Sequence, residues 1–206
     1  MIGFYNYTVL LTYAGTVSGF LGIIQMLHGN LKWSLVCLLC SGVCDMFDGK
    51  IASSRKRTQQ EMHFGIQIDS LNDIVCFGIL PALIVFRESG ESLWSTVACT
   101  LYLLCALIRL AWFNVQEEAR QGQGEGGVGA FLGLPVTSSA LGVPLVMCAW
   151  HFLPWSTGFL YPLLLLATGV AFLTPVPLPK PRLVGKLILS VLGAVCFVLV
   201  LCGIPS

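Results

Sequence analysis

The feature that most constrains this chain is a succession of apolar runs, each about as long as a bilayer is thick. A helix crossing the hydrocarbon core needs roughly 20 residues. Seven segments meet that need: 8–28, 31–52, 66–87, 92–114, 133–153, 157–174 and 184–203. The loops between them are too short for a separate folded domain. Of the 206 residues, 56% are hydrophobic and 10% charged, against about 25% charged in an ordinary soluble domain. That composition rules out a disordered chain and argues against a soluble globular one. The runs are continuous rather than alternating, which disfavours a membrane β-barrel. The reading is an all-α polytopic membrane protein with about seven transmembrane helices, residues 1–206 forming a single transmembrane domain.

Charge adds orientation. The net charge is +1, so there is no global basic field and no nucleic-acid partner is expected. Arg55, Lys56 and Arg57 follow the second span, Arg120 follows the fourth, and Lys180, Arg182 and Lys186 follow the sixth. The opposite side has only Lys32 and Arg87. Basic residues in short loops stay inside, which places loops 53–65, 115–132 and 175–186 in the cytoplasm. The amino terminus is then cytoplasmic and the carboxyl terminus external. Met1–Thr8 lacks a basic segment and a small-residue cleavage site, so the first apolar run reads as a retained span. The nine cysteines all lie in apolar stretches and read as small buried side chains. Cys37, Cys40 and Cys44 have helical spacing but lack the second Cys or His cluster that zinc requires.

The aspartates carry the chemistry. The chain has four, and all fall between residues 45 and 73. Asp45 and Asp48 close the second span, and Asp69 and Asp73 open the third. Spacings of i,i+3 and i,i+4 put each pair on one helix face, and antiparallel neighbours bring the pairs to one depth. An acid at the bilayer centre costs about 2.5–3.5 kcal/mol on insertion scales, and four together repel. Lys50 is the one basic residue within these runs, so an oxygen-seeking divalent ion, Mg²⁺ or Mn²⁺, is the better counter-charge. Two ions fit two carboxylate pairs. Gly49, Ala52 and Gly65 flank the acids and leave room for helix packing or for a flat ligand.

Together these residues read Asp45-x2-Asp48-Gly49-x2-Ala52, then Gly65-x3-Asp69-x3-Asp73. This pattern resembles the signature of the CDP-alcohol phosphotransferases. It departs at Ser53, where the family usually has Arg, and Arg55 or Arg57 is the candidate replacement. Three further segments are similar to those of the phosphatidylserine synthases within that family: Asp69–Ala82, Arg109–Val115 and Phe131–Pro135.

The resemblance implies a dimeric enzyme with a six-helix core over residues 1–175. Residues 176–206 would then add a C-terminal span. It implies transfer of a phosphatidyl group from CDP-diacylglycerol to the hydroxyl of serine, with CMP leaving. In that reading Asp45, Asp48, Asp69 and Asp73 hold metal, and Asp73 is also the general base. Asp45, Asp48, Gly49, Ala52, Gly65 and Asp69 bind the CDP group. Arg55, Arg57, Ser70, Asn72, Arg109, Asn114 and Lys180 are candidates for phosphate or acceptor contacts. Partners are then these substrates, membrane lipids and a second copy of the chain. The location is a bacterial plasma membrane, with the active site facing the cytoplasm. Two other readings stay open: a sister enzyme using inositol phosphate or glycerol 3-phosphate, and a divalent-cation transporter. A transporter needs polar groups across the whole membrane, whereas these acids sit at one end.

Overall fold

The structure is a computed structural model, and it describes residues 3–5, 7–52, 54, 58–123, 131–151, 158–178 and 183–203. Its elements are α1 (Tyr7–Leu27), α2 (Leu31–Ala52), α3 (Gln59–Asp73), a π-helical turn (Ile74–Ile79), α4 (Leu80–Glu88), α5 (Leu93–Gln123), α6 (Ser139–His151), α7 (Leu160–Leu173) and α8 (Leu183–Gly203). A two-residue pair of strands, β1 (Phe131–Leu132) and β2 (Pro177–Leu178), runs antiparallel. Apart from this short pair the described structure is helical, and the chain is a polytopic membrane protein. Among the described residues, three helical stretches are long and apolar enough to cross a membrane, Val9–Leu27, Gln59–Glu88 and Leu93–Ala119, and three more are shorter and apolar. The outer surface is apolar too. On α5, Leu101, Leu104, Ile108, Trp112 and Val115 face outward, while Ala98, Tyr102, Ala106 and Arg109 face the core. Each set recurs at three to four residues, the period of a helix face.

α1 lies along α2, α5 packs on α7, and α6 packs on α8. Lipid tails give helices no hydrophobic reason to associate, so close backbone approach matters more than in water. Gly15, Gly19 and Gly22 supply it on α1. A Cβ at Gly19 would stand 2.5 Å from Cys76 Sγ, and one at Gly22 would stand 2.8 Å from Leu80 Cδ2. The contact brings hydrogen bonds with it: Ser41 Oγ donates to the Gly15 carbonyl at 3.1 Å, and Ser18 Oγ donates to the Cys37 carbonyl at 2.9 Å.

The π-helical turn has a cause in the sequence. Pro81 has no N–H, and its ring crowds the carbonyl four residues back, which is that of Phe77. The helix widens before it, and Leu80 N–H reaches back five residues to the Val75 carbonyl. Pro81 thus cannot donate to the Phe77 carbonyl, which is buried. Tyr102 of α5 donates its hydroxyl to that oxygen, and Ser139 at the start of α6 donates at 3.0 Å. One freed carbonyl thereby ties three helices together.

The loop before α6 is anchored differently. Gly133 adopts φ +80°, and a Cβ there would lie 2.7 Å from the Phe172 carbonyl. Its N–H donates to the Val176 carbonyl at 2.9 Å, and that of Leu134 donates to Ala171 at 3.2 Å. Residues 131–138 are therefore not helical in the α sense, although the apolar run predicts a span from 133. Strand, bend and a 3₁₀ turn come first, because Gly133 and Pro135 break the helix. α3 and α5, at the third and fourth of the apolar runs, differ the other way. They start at Gln59 and end at Gln123, so each extends into a stretch that hydropathy reads as loop.

The doubly bonded Phe77 carbonyl makes a testable pair. Tyr102→Phe and Ser139→Ala should each lower stability by about 1 kcal/mol, since the other hydroxyl still serves the oxygen. The double variant should lose more than the sum, because the buried carbonyl then loses both side-chain donors. Unfolding in detergent measures all three, and strict additivity would refute the shared-acceptor account.

Candidate active site

α3 begins at a capping box. Thr58 Oγ1 accepts from Glu61 N–H at 3.2 Å, and the Glu61 carboxylate accepts from Thr58 N–H at 2.8 Å. The motif Thr-x-x-Glu was present in the sequence as a helix start. With the start fixed there, successive α3 side chains point at different neighbours. Asp69 faces α2. Ser70 faces α5 and donates to Asn114 Oδ1 at 2.7 Å. Asn72 faces α1, where Thr16 Oγ1 donates to its Oδ1 at 2.8 Å.

Carboxylate oxygens of Asp45, Asp48 and Asp69 all lie within 4.8 Å of one another. Asp73, one turn deeper on α3, is more buried than these three, at 7% exposure. Three oxygens in the group are buried without a hydrogen-bond partner among the described residues: Asp48 Oδ2, Asp69 Oδ1 and Asp73 Oδ1. Burying unpaired carboxylate oxygens is costly, and clustering them adds repulsion. A divalent cation removes both penalties, and an all-oxygen donor set suits a hard one. These acids are therefore residues that could hold a metal ion. Lys50 Nζ sits 5.5 Å from the Phe47 ring centroid. The hydrocarbon core takes roughly 20 residues of helix, and counted back from Glu88 these end at Asp69. The group thus lies near one membrane face.

The space beside the acids is open. A Cβ at Gly49 would meet nothing within 4 Å. Gly65 lies on α3 one turn before Asp69, half-buried, and Ala52 is the last residue of α2. Arg109 is 8% exposed, and among the described residues its one hydrogen-bond partner is the Gly133 carbonyl, 3.5 Å from Nη2. That is a single long bond for a group with five donors. Ser53, Arg55, Arg57 and Lys180 lie outside the described residues.

One polar chain escapes hydropathy reading. Asn114 Nδ2 donates to Gln67 Oε1 at 3.3 Å, Gln67 Nε2 donates to Glu118 Oε1 at 3.0 Å, and His63 Nδ1 lies 3.8 Å from that same oxygen. Glu118 and His63 read as loop residues in the sequence. Their helical register becomes visible only once Thr58 and Gln123 are known to bound α3 and α5.

Comparison with known proteins agrees with this geometry. A family model described as CDP-alcohol phosphatidyltransferase matches residues 5–175, which leaves α8 beyond the match. The archaetidylserine synthase of Methanothermobacter thermautotrophicus is 27% identical over 173 residues, 83% of this chain and 68% of that protein. The CDP-diacylglycerol–serine O-phosphatidyltransferase of Helicobacter pylori strain 26695 is 27% identical over 171 residues, 78% of this chain and 68% of its own length. The enzyme of that name from Saccharomyces cerevisiae is 34% identical over 110 residues, 52% of this chain and 39% of that protein.

The orphaned oxygens set an expectation with a sign. Without divalent metal, Asp48→Asn and Asp69→Asn should each match or exceed the parent's melting temperature, because a repelling charge is gone. With Mn²⁺ at 100 times its Kd, the parent should gain about 2.7 kcal/mol and the variants much less. Thermal unfolding in detergent, with EDTA or Mn²⁺, reads both. A parent indifferent to Mn²⁺ would refute the metal-site reading.

Proposed function

The chain belongs to the CDP-alcohol phosphatidyltransferase family, and on that premise we propose that it transfers a phosphatidyl group from CDP-diacylglycerol to L-serine, giving phosphatidylserine and CMP. The observation that carries the proposal is the group of facing acids, whose orphaned oxygens sit on the helices and at the spacings of the family's signature. Serine is the acceptor named for two of the relatives described above, and the segments Arg109–Val115 and Phe131–Pro135 resemble theirs.

Asp45, Asp48 and Asp69 would hold divalent metal, Mg²⁺ or Mn²⁺, with Asp73 completing the donor set for a second ion. Bound there, the metal supplies charge neutralisation for the pyrophosphate. The rest falls to the chain. The open flank at Gly49 admits the CDP group against α2. The serine hydroxyl attacks the phosphatidyl phosphorus, its O–P bond forms, and the P–O bond to CMP breaks. Asp73, the most buried of the acids, takes the hydroxyl proton, since an alcohol is a poor nucleophile until that proton leaves. α3 keeps Asp69 and Asp73 in place through neighbours on its other faces, Asn72 against Thr16 and Ser70 against Asn114, so these groups are held before substrate arrives.

Serine also brings a carboxylate, which calls for a cation with donors to spare. Arg109 is buried with one long hydrogen bond, and we assign it to that carboxylate. Arg55, Arg57 and Lys180, in the basic loops read from the sequence, remain the candidate phosphate contacts. Those same basic loops argue that the acid end faces the cytoplasm, here of a bacterial plasma membrane. Residues 1–175 form the catalytic core in this reading, and α8 is an added span.

Purified protein given CDP-diacylglycerol and Mn²⁺ should release CMP when serine is added, and Asp73→Asn should lower kcat by about 10²-fold or more. Arg109→Lys should raise the KM for serine more than it lowers kcat. Release with inositol phosphate or glycerol 3-phosphate instead would keep the family and discard serine. No release with any acceptor would overturn the transferase reading.

A further inference from the structure

A cavity of about 330 Å³ lies between α4, α6 and α7, and none of the four acids lines it. We propose that it houses one acyl chain of the lipid substrate, a proposal that rests on the transferase reading above.

The wall specifies the chemistry of the occupant. Its polar residues are Ser139, Thr168 and Tyr161, and each is already engaged. Ser139 Oγ donates to the Phe77 and Val136 carbonyls, and Thr168 Oγ1 donates to the Leu164 carbonyl. Tyr161 likewise has an interaction of its own. The remaining wall is apolar, so a polar ligand would find no partner there. A hydrocarbon chain needs none and recovers dispersion contacts along the wall.

Position then selects which hydrocarbon. The near end of the cavity is at Ser139, bonded to the Phe77 carbonyl one helical turn beyond Asp73. Leu134 lines the same end and follows Gly133, the partner of Arg109. The far end is at Val85, twelve residues past Asp73, or roughly 18 Å further along the helix at 1.5 Å per residue. The cavity therefore starts beside the site and runs toward the opposite membrane face. A lipid whose pyrophosphate sits on the acids hangs its tails in that direction.

Gly142 of α6 gives the test. It lines the cavity at an exposed position, and a Cβ there would meet nothing within 4 Å, so a larger side chain fits without a clash and narrows the cavity from that wall. The measurement is kcat/KM for dipalmitoyl over dihexanoyl CDP-diacylglycerol, with serine as acceptor. Gly142→Leu should lower that ratio at least tenfold, and Gly142→Ala should lower it by less. The dihexanoyl rate controls for folding and for the acid site. An unchanged ratio overturns the proposal while leaving the transferase reading intact.

A second arm needs no turnover. CDP-diacylglycerol with a diazirine in one acyl chain is photolysed on the protein, and the labelled fragments are identified by mass spectrometry. Labelling of α6 and α7 that Gly142→Leu abolishes supports the chain site even if no acceptor is turned over. Labelling elsewhere overturns it. So does equal labelling by a phosphatidylcholine carrying the same diazirine, which would make the cavity a berth for any membrane lipid.

Discussion

Hydrocarbon offers no hydrogen bonds, so each polar group within the membrane must find its partner inside the protein. The fold follows from where that rule is strained. Pro81 frees one carbonyl, and α5 and α6 supply the hydroxyls that satisfy it. The same three-helix junction stands one turn beyond Asp73 and sets the depth at which the deepest acid is held. Gly15, Gly19 and Gly22 let α1 close on the other side, where Cys76 Sγ donates to the Gly15 carbonyl and to Asn72 Oδ1. α3 is thus gripped on two faces by bonds that do not involve its acids.

The carboxylates are the exception to the rule, and they mark the site for that reason. A structural acid at this depth would be expected to have its oxygens paired. Here three are buried and unpaired, and they converge. Stability is lost where the oxygens meet, and a cation held there would restore it. The neighbouring polar residues show the contrast, because Ser70, Asn72, Gln67 and Asn114 all have partners. Among the described residues Ser34 Oγ and Ser138 Oγ are also buried without a partner, but the unpaired carboxylate oxygens all belong to the signature.

Fold class and acid cluster were legible in the sequence because both rest on spacing. Runs of about 20 apolar residues admit few alternatives, and i,i+3 and i,i+4 acids on consecutive helices must face the same way or be stranded in lipid. The π-helical turn was within reach, since a proline in an apolar helix always leaves a carbonyl behind. Which side chains would satisfy that carbonyl was not, because Tyr102 and Ser139 are distant in sequence. The early start of α3 was written in Thr58 and Glu61, but hydropathy reads polar helix ends as loops. The Gln67–Glu118–His63 chain was hidden for the same reason. Arg109 was picked out as a charge inside a span. Its tie to Gly133 depends on a bend that periodicity does not encode.

Depth links these features to the proposed chemistry. Along Gln59–Glu88 the sequence changes character at one point: Gln67, Asp69, Ser70, Asn72 and Asp73 precede it, and Ile74 to Phe86 is apolar throughout. An ion pathway needs polar groups on both sides of such a boundary. A phosphatidyl transferase needs the boundary itself, since its lipid substrate has a charged pyrophosphate joined to hydrocarbon tails. The break falls next to Asp73, so a substrate spanning it would bring its phosphorus to the acids while its tails stay among apolar side chains. The π-helical turn widens the helix at that same level, where Phe77 turns its carbonyl toward Ser139 and the mouth of the apolar cavity.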